Sequence, residues 1–178
     1  MTVPDLALLL LRLTVGLTFA AHGAQKAFGW WGGPGPEGWS KAVGSMGYQP
    51  LGLFAGLAVG AELIGGLALA LGLLTPLAAA ALAAQALVII LRVHWPQGFF
   101  NQAGGLEFPL VLGVGAMAVG LSGAGGVSLD VWLGLEADPA TRVLLVLAGL
   151  VAGALAFSMP ELRETWEERR AGDRLRRG

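Results

Sequence analysis

Apolar residues fall into five blocks along the chain, at Leu6–Phe28, Leu51–Leu74, Leu77–Trp95, Leu106–Leu121 and Thr141–Phe157. About 20 apolar residues are needed to cross a hydrocarbon layer about 30 Å thick, and each block is read as a membrane-crossing helix. Phe19-Ala20-Ala21 resembles a signal-peptide cleavage site. However, the preceding segment carries Asp5 and no Lys or Arg, and Arg12 interrupts the apolar run, so the first block reads as a retained helix.

The segments between blocks are polar or rich in glycine. Gly29–Gln49 holds nine glycines and prolines with Trp30, Trp31 and Trp39, a composition that favours the membrane–water interface. Leu74-Thr75-Pro76 reads as a tight turn between antiparallel neighbours, with Pro76 in the first turn of the next helix. Pro96–Gly105 is a short polar connection, and Ser122–Pro139 is a longer acidic one. Ser158-Met159-Pro160-Glu161 has capping-box spacing and predicts the start of a separate, water-exposed C-terminal helix.

Composition sharpens this reading. Of 178 residues, 55% are hydrophobic and 13% charged, against about 25% charged in soluble domains. The chain holds 11 Lys and Arg and 12 Asp and Glu, and 11 of these lie in Glu161–Gly178. The first 160 residues therefore cannot clothe a water-facing globule. A net charge of −1 leaves no basic field for nucleic acid. With no cysteine there is no disulfide, no thiolate nucleophile and no iron–sulfur cluster, so redox work would use a bound cofactor. No metal site is read from the sequence.

With five crossings, Lys26, Lys41, Arg92 and the six tail arginines share one side, and Arg12 and Arg142 lie toward the other. The positive-inside rule then places the C-terminus in the cytoplasm and the N-terminus outside, in a multi-pass protein of the cytoplasmic (inner) membrane. Gly52, Gly56 and Gly60 form a small-xxx-small ridge, expected to pack inside the bundle rather than as a homodimer seam. Helices four (Gly113, Gly115, Gly120) and five (Gly149, Gly153) carry weaker versions.

Ionisable residues inside apolar blocks cost about 2.5–3.5 kcal/mol each at a helix centre and are expected to have partners. Arg12 lies 14 residues before Lys26, about 21 Å. Counted from the same side, Glu62 lies about 18 Å along the second helix. Equal depth predicts an Arg12–Glu62 ion pair. The remaining residues, His22, Gln25, Lys26, Arg92, His94 and Glu107, gather toward the cytoplasmic end. The plain reading is that these anchor helices at the interface or hold the bundle in register. The functional readings are a cofactor or substrate pocket and, behind it, an ion or proton path. His22 and His94 as paired haem ligands rest only on two lone histidines.

Leu11-Arg12, His22-Gly23-Ala24-Gln25-Lys26, Ala61-Glu62-Leu63-Ile64-Gly65-Gly66 and Gly72-Leu73-Leu74-Thr75 occur in that order. Val93-His94, Gly98-Phe99-Phe100, Gly104-Gly105-Leu106-Glu107, Gly125 and Ser128-Leu129-Asp130 follow. Over residues 6–130 this set resembles the DoxX family of small bacterial and archaeal membrane proteins. The resemblance implies an all-α, polytopic fold with a four-helix transmembrane core over residues 1–130. It also implies an association with oxidoreductase systems, since relatives serve as subunits of a thiosulfate:quinone oxidoreductase or accompany redox enzymes at the membrane. The fifth helix, in residues 131–158, and the charged tail of residues 159–178 are additions to that pattern.

The leading expectation is a membrane subunit of a redox system that handles a quinone beside a soluble partner. His22, Gln25, Lys26, His94 and Glu107 would contact the quinone oxygens, with His22, Lys26 or Glu107 as proton-transfer candidates. Phe19 and Phe28 would pack on its apolar tail. A different class of reading is a non-catalytic scaffold whose tail docks a cytoplasmic protein or anionic lipid. A third is a small transporter dependent on Glu62, although no inverted repeat is visible. Homo-oligomers are compatible with all three.

Overall fold

The computed structural model describes residues 2–177, with side chains through residue 163. All described elements are helical. Helix α1 (Val3–Phe28) begins at a capping box in which the Thr2 hydroxyl accepts from the Asp5 amide and the Asp5 carboxylate accepts from the Thr2 amide at 2.7 Å. It ends at Gly29, whose φ of 72° is the left-handed cap that glycine adopts without strain. The Gly29–Gln49 connection is more ordered than its composition predicted, because it contains α2 (Gly35–Ser45). That helix buries Val43 with Tyr48 and Ala55, and Trp39 and Phe54 pack against this cluster.

Helix α3 (Leu51–Leu71) and helix α4 (Thr75–Gln97) are the next two spans. Each is interrupted by one wide π-turn, at Ala61–Gly65 and Ile90–His94. Helix α5 (Glu107–Ser122) follows, then the short α6 (Leu129–Leu133) and the long α7 (Pro139–Arg177). Asp138 caps α7, accepting from the amides of Ala140 at 2.9 Å and Thr141 at 3.2 Å. The hydrogen bond from the Thr141 side chain, helped by those amides, holds the Asp138 carboxyl below the usual carboxylate range.

Four helices, α1, α3, α4 and the Pro139–Arg163 part of α7, are long and apolar enough to cross a membrane. Helix α5 has 16 residues, about 24 Å of helix. It runs antiparallel to α4 inside the bundle, with Gly113 against Ala86 and Gly120 against Ala79. The protein is therefore an all-α, polytopic membrane protein. Its core mixes small residues with a few large ones: Ala79, Ala83, Ala86 and Ala116 are buried with Phe19, Leu69, Leu82 and Val119, while Ile64, Val111 and Leu144 are each about two-thirds exposed at 69%, 66% and 66%. Lipid accepts large apolar side chains on the outside, and helices gain contact by bringing their backbones close.

One such close contact joins α1 to α3. A methyl group on Gly16 would strike Gly66 and Ala70, one on Gly23 would strike Leu63, and one on Gly66 would strike Ala20. The pairings 16 with 70, 20 with 66 and 23 with 63 share one antiparallel register. Gly149 and Gly153 of α7 likewise lie on the backbone of Ala80 and Ala84 in α4. The Gly52, Gly56 and Gly60 ridge does the opposite of what was expected: nothing lies within 4 Å of a side chain placed at any of the three, so it faces outward.

The tail also departs from its capping-box pattern. Instead of starting a new helix, Ser158 donates back to the Ala154 carbonyl at 3.1 Å, and α7 runs through Pro160. Proline leaves the carbonyl four residues earlier without its helical donor. Arg92 crosses from α4 to bond the neighbouring Phe157 carbonyl and to pair with Glu161 at 2.6 Å, bracing α7 at that point.

Gly66→Leu is expected to abolish recovery of folded protein from detergent, whereas Gly56→Leu leaves yield and thermal midpoint near wild type. Size-exclusion profiles and thermal unfolding of the two variants check this contrast.

Candidate functional site

The chemistry-bearing residues separate into two groups at opposite ends of the bundle. At the end holding the N-terminus of α1, Arg12 is 3% exposed. Its guanidinium donates to the carbonyls of Ala70 (3.2 Å), Ala124 and Val127, tying α1 to the end of α3 and to the loop after α5. Beside it the Asp130 carboxylate accepts from the amides of Leu74 at 2.6 Å and Thr75 at 2.9 Å. Those are unpaired donors at the start of α4, and an anion there also complements the helix dipole. The Asp130 amide donates to the Gly72 carbonyl at 2.8 Å, which closes the turn. Gly72 has φ 66° and lies directly under the Arg12 guanidinium, so both its conformation and the space require glycine.

The expected Arg12–Glu62 pair is absent. In the register set by the glycines, residue 12 lies opposite the turn after α3, and residue 62 lies opposite residue 24. Counting depth from Leu51 failed because α3 begins well beyond the end of α1, with α2 filling the difference. Glu62, only 1% exposed, pairs instead with Lys26, one of its carboxylate oxygens accepting from Lys26 Nζ. The same oxygen accepts from Gln85 Nε2 at 3.1 Å. The Lys26 ammonium also sits 4.3 Å from the centre of the Trp39 ring, a cation–π contact.

The remaining candidate residues at this end of the bundle do not converge into one pocket. His94 Nδ1 lies 2.6 Å from the Gly104 carbonyl, and the Glu107 carboxylate accepts from the Asn101 amide at 3.0 Å, so both fasten the loop between α4 and α5. His22 packs on Phe108, with ring centres 5.8 Å apart. Gln25 lies under Gly33, where a methyl group would strike it. Phe19 is in the buried core and Phe28 is 56% exposed, so neither is placed to grip a ligand tail together with the other.

A cavity of about 340 Å³ lies beside the Lys26–Glu62 pair, within the usual range for ligand pockets of about 300–1,000 Å³. Its walls come from α2, α3, α4 and α7, and they are apolar, many of them alanine. Trp39, Tyr48 and Phe54 supply the flat aromatic surfaces. Gln85 supplies the one amide side chain among the lining residues, and it is the residue bonded to Glu62. Both π-turns border this space: one carries Ala61 and Glu62, the other Val93. Such turns widen a helix by one residue and recur at functional sites.

Of the candidate site residues read from the sequence, none lines the cavity; Lys26 and Glu62 touch it only through Trp39 and Gln85. Gln85 and Asp130 were not singled out as site residues. Gln85 is a lone amide in an alanine-rich helix, and Asp130 reads as an ordinary loop acid. A double-mutant cycle in thermal unfolding is expected to show coupling of about 1 kcal/mol or more between Lys26 and Glu62, and none between Arg12 and Glu62. Asp130→Asn, which weakens two charge-assisted bonds, is expected to cost about 1.5–3 kcal/mol in the same assay.

No curated protein and no solved structure matches the chain. The family model for DoxX matches residues 7–95, which hold most of α1, all of α2 and α3, most of α4 and both π-turns. That is half of the 178 residues, and the chain belongs to the DoxX family.

Proposed function

We propose that the protein is a membrane subunit of a redox system and that it holds a quinone in the cavity between α2, α3, α4 and α7. The observation that carries this reading is the cavity itself: an apolar, alanine-lined space of about 340 Å³ with three aromatic residues and a single amide in its lining. A flat ring with oxygen substituents and an apolar chain matches those surfaces, and the membrane is where such molecules dissolve. The oxidoreductase link implied by family resemblance supports the same assignment. Lys26 and Glu62 take the place of the dispersed His22, His94 and Glu107 set, holding Gln85 in position from behind the wall.

In this reading α7 is the handle for a soluble partner. It runs unbroken from the membrane into the charged tail and is braced by Arg92 at Phe157 and Glu161. The charge bias of Lys and Arg supports a cytoplasmic position for that tail.

Quinones quench indole fluorescence, and Trp39 lines the cavity. A short-chain quinone is expected to quench the purified protein saturably. Ala84→Phe, which fills the cavity, is expected to weaken binding at least about tenfold, a loss of about 1.4 kcal/mol. His22→Ala and Glu107→Gln are expected to leave it unchanged. Saturable quenching that survives Ala84→Phe would place the quinone elsewhere. Absence of binding, together with a partner that co-purifies only while residues 161–178 are present, would favour the scaffold reading.

A further inference from the structure

How a ligand reaches the cavity, and hence which ligands can, follows from the way its walls are covered, given the quinone reading above. Helix α4 is covered on three sides. At about 100° per residue, Leu82, which lies under Gly65 of α3, falls roughly opposite Ala80 and Ala84, which lie under Gly149 and Gly153 of α7. Ala79 and Ala86 face α5. The fourth side carries Ala81, Gln85 and Val88, and it is the floor of the cavity. The cavity is therefore a trough along α4, with α3 on one bank and α7 on the other.

The two ends of the trough differ. At the α2 end the turn before α3 abuts α7, since a methyl group on Gly47 would lie 3.0 Å from Pro160. Arg92 of α4 reaches the same part of α7, bonding the Phe157 carbonyl and Glu161. The lining residues outside the membrane spans, Trp39, Val43, Met46 and Tyr48, are all buried or half-buried. The exposed lining residues, Leu57, Val93 and Ala152, all belong to spans. The mouth of the trough thus opens on the lipid side of the bundle. Ala152 stands at the middle of its span, Pro139–Arg163, and the wall beside it is made of Ala81, Ala84 and Gly153.

We infer that the cavity takes a quinone with a long isoprenoid chain, delivered sideways from the bilayer, whose ring rests at the closed α2 end while its chain leaves between α3 and α7 beside Ala152. A ligand that enters through a side opening puts its leading end against the closed wall, where Trp39, Tyr48 and Phe54 offer flat surfaces. What trails behind it lies along the small residues, whose short side chains leave room for a branched apolar chain. Leaving at mid-membrane keeps that chain in hydrocarbon. A quinone confined to water meets only the covered α2 end.

The test uses the full-length protein in lipid nanodiscs and follows the saturable tryptophan quenching that Ala84→Phe removes. A quinone with an isoprenoid chain is expected to give it. A sulfonated, chainless quinone, which stays in water, is expected to bind at least about a hundredfold more weakly. A second measurement places a diazirine at the end of a short isoprenoid chain on the quinone ring. Label is expected on α7 around Ala152 and on α4 around Ala81, displaced by excess unlabelled quinone. Ala152→Trp, a change on a lipid-exposed position, is expected to cut that label at least about tenfold. Equal binding of the sulfonated quinone, chain-end label on α2 or on residues 98–106, or label that Ala152→Trp does not reduce overturns this inference and leaves the cavity assignment standing. Label that excess quinone does not displace marks the trough as a lipid acyl-chain site only and overturns it as well. Failure of both quinones to give the quenching overturns the cavity assignment and this inference together.

Discussion

The contact of bare backbone between α1 and α3 is the constraint on which the rest of the structure depends. In lipid, helices have no hydrophobic reason to associate, so they must gain van der Waals contact by close approach. Gly16, Gly23 and Gly66 permit that approach at three levels and fix one register. Once residue 23 lies beside residue 63, the choice of ionic partners follows: Lys26 reaches Glu62, and Arg12 is carried to the turn after α3. There Arg12 finds three carbonyls, and Asp130 caps α4 next to it.

The two buried polar groups have different characters. Around Arg12 and Asp130 the hydrogen bonds tie the ends of α1, α3 and α4 to the loop after α5, and they close a turn that only glycine can make. That knot leaves the Thr75 hydroxyl buried without a partner among the described residues, as the group at the opposite end leaves one oxygen of Glu62. What differs is the space beside them: a cavity of about 340 Å³ lies next to the second group and one of about 10 Å³ next to the first. That difference is why we propose the second group as a binding edge and read the first as structural glue.

Much of this fold is legible in the sequence because apolar length alone identifies a membrane span. The five blocks correspond to α1, α3, α4, α5 and α7, of which all but α5 are long and apolar enough to cross a membrane. The partner of each buried charge is not legible, because depth counted along two helices assumes that both start level. The residues of α2 break that assumption between α1 and α3. The outward ridge at Gly52, Gly56 and Gly60 shows a related ambiguity: spacing states that a helix can be approached closely, not which face is approached. The cavity is invisible for a further reason. It is assembled from alanines on α3, α4 and α7, which resemble packing residues until the helices leave a gap between them.

The most direct measurement of where the ligand sits is photo-crosslinking of the membrane-embedded protein with an azido-quinone, followed by mapping of the labelled peptides. The expected result is label on the α4 segment around Ala84 to Val88 and on α7 around Ala152 to Ala156, competed away by unlabelled quinone. Label confined to the His94–Glu107 connection or to the outer face of α3, or label that excess quinone does not displace, would contradict the account.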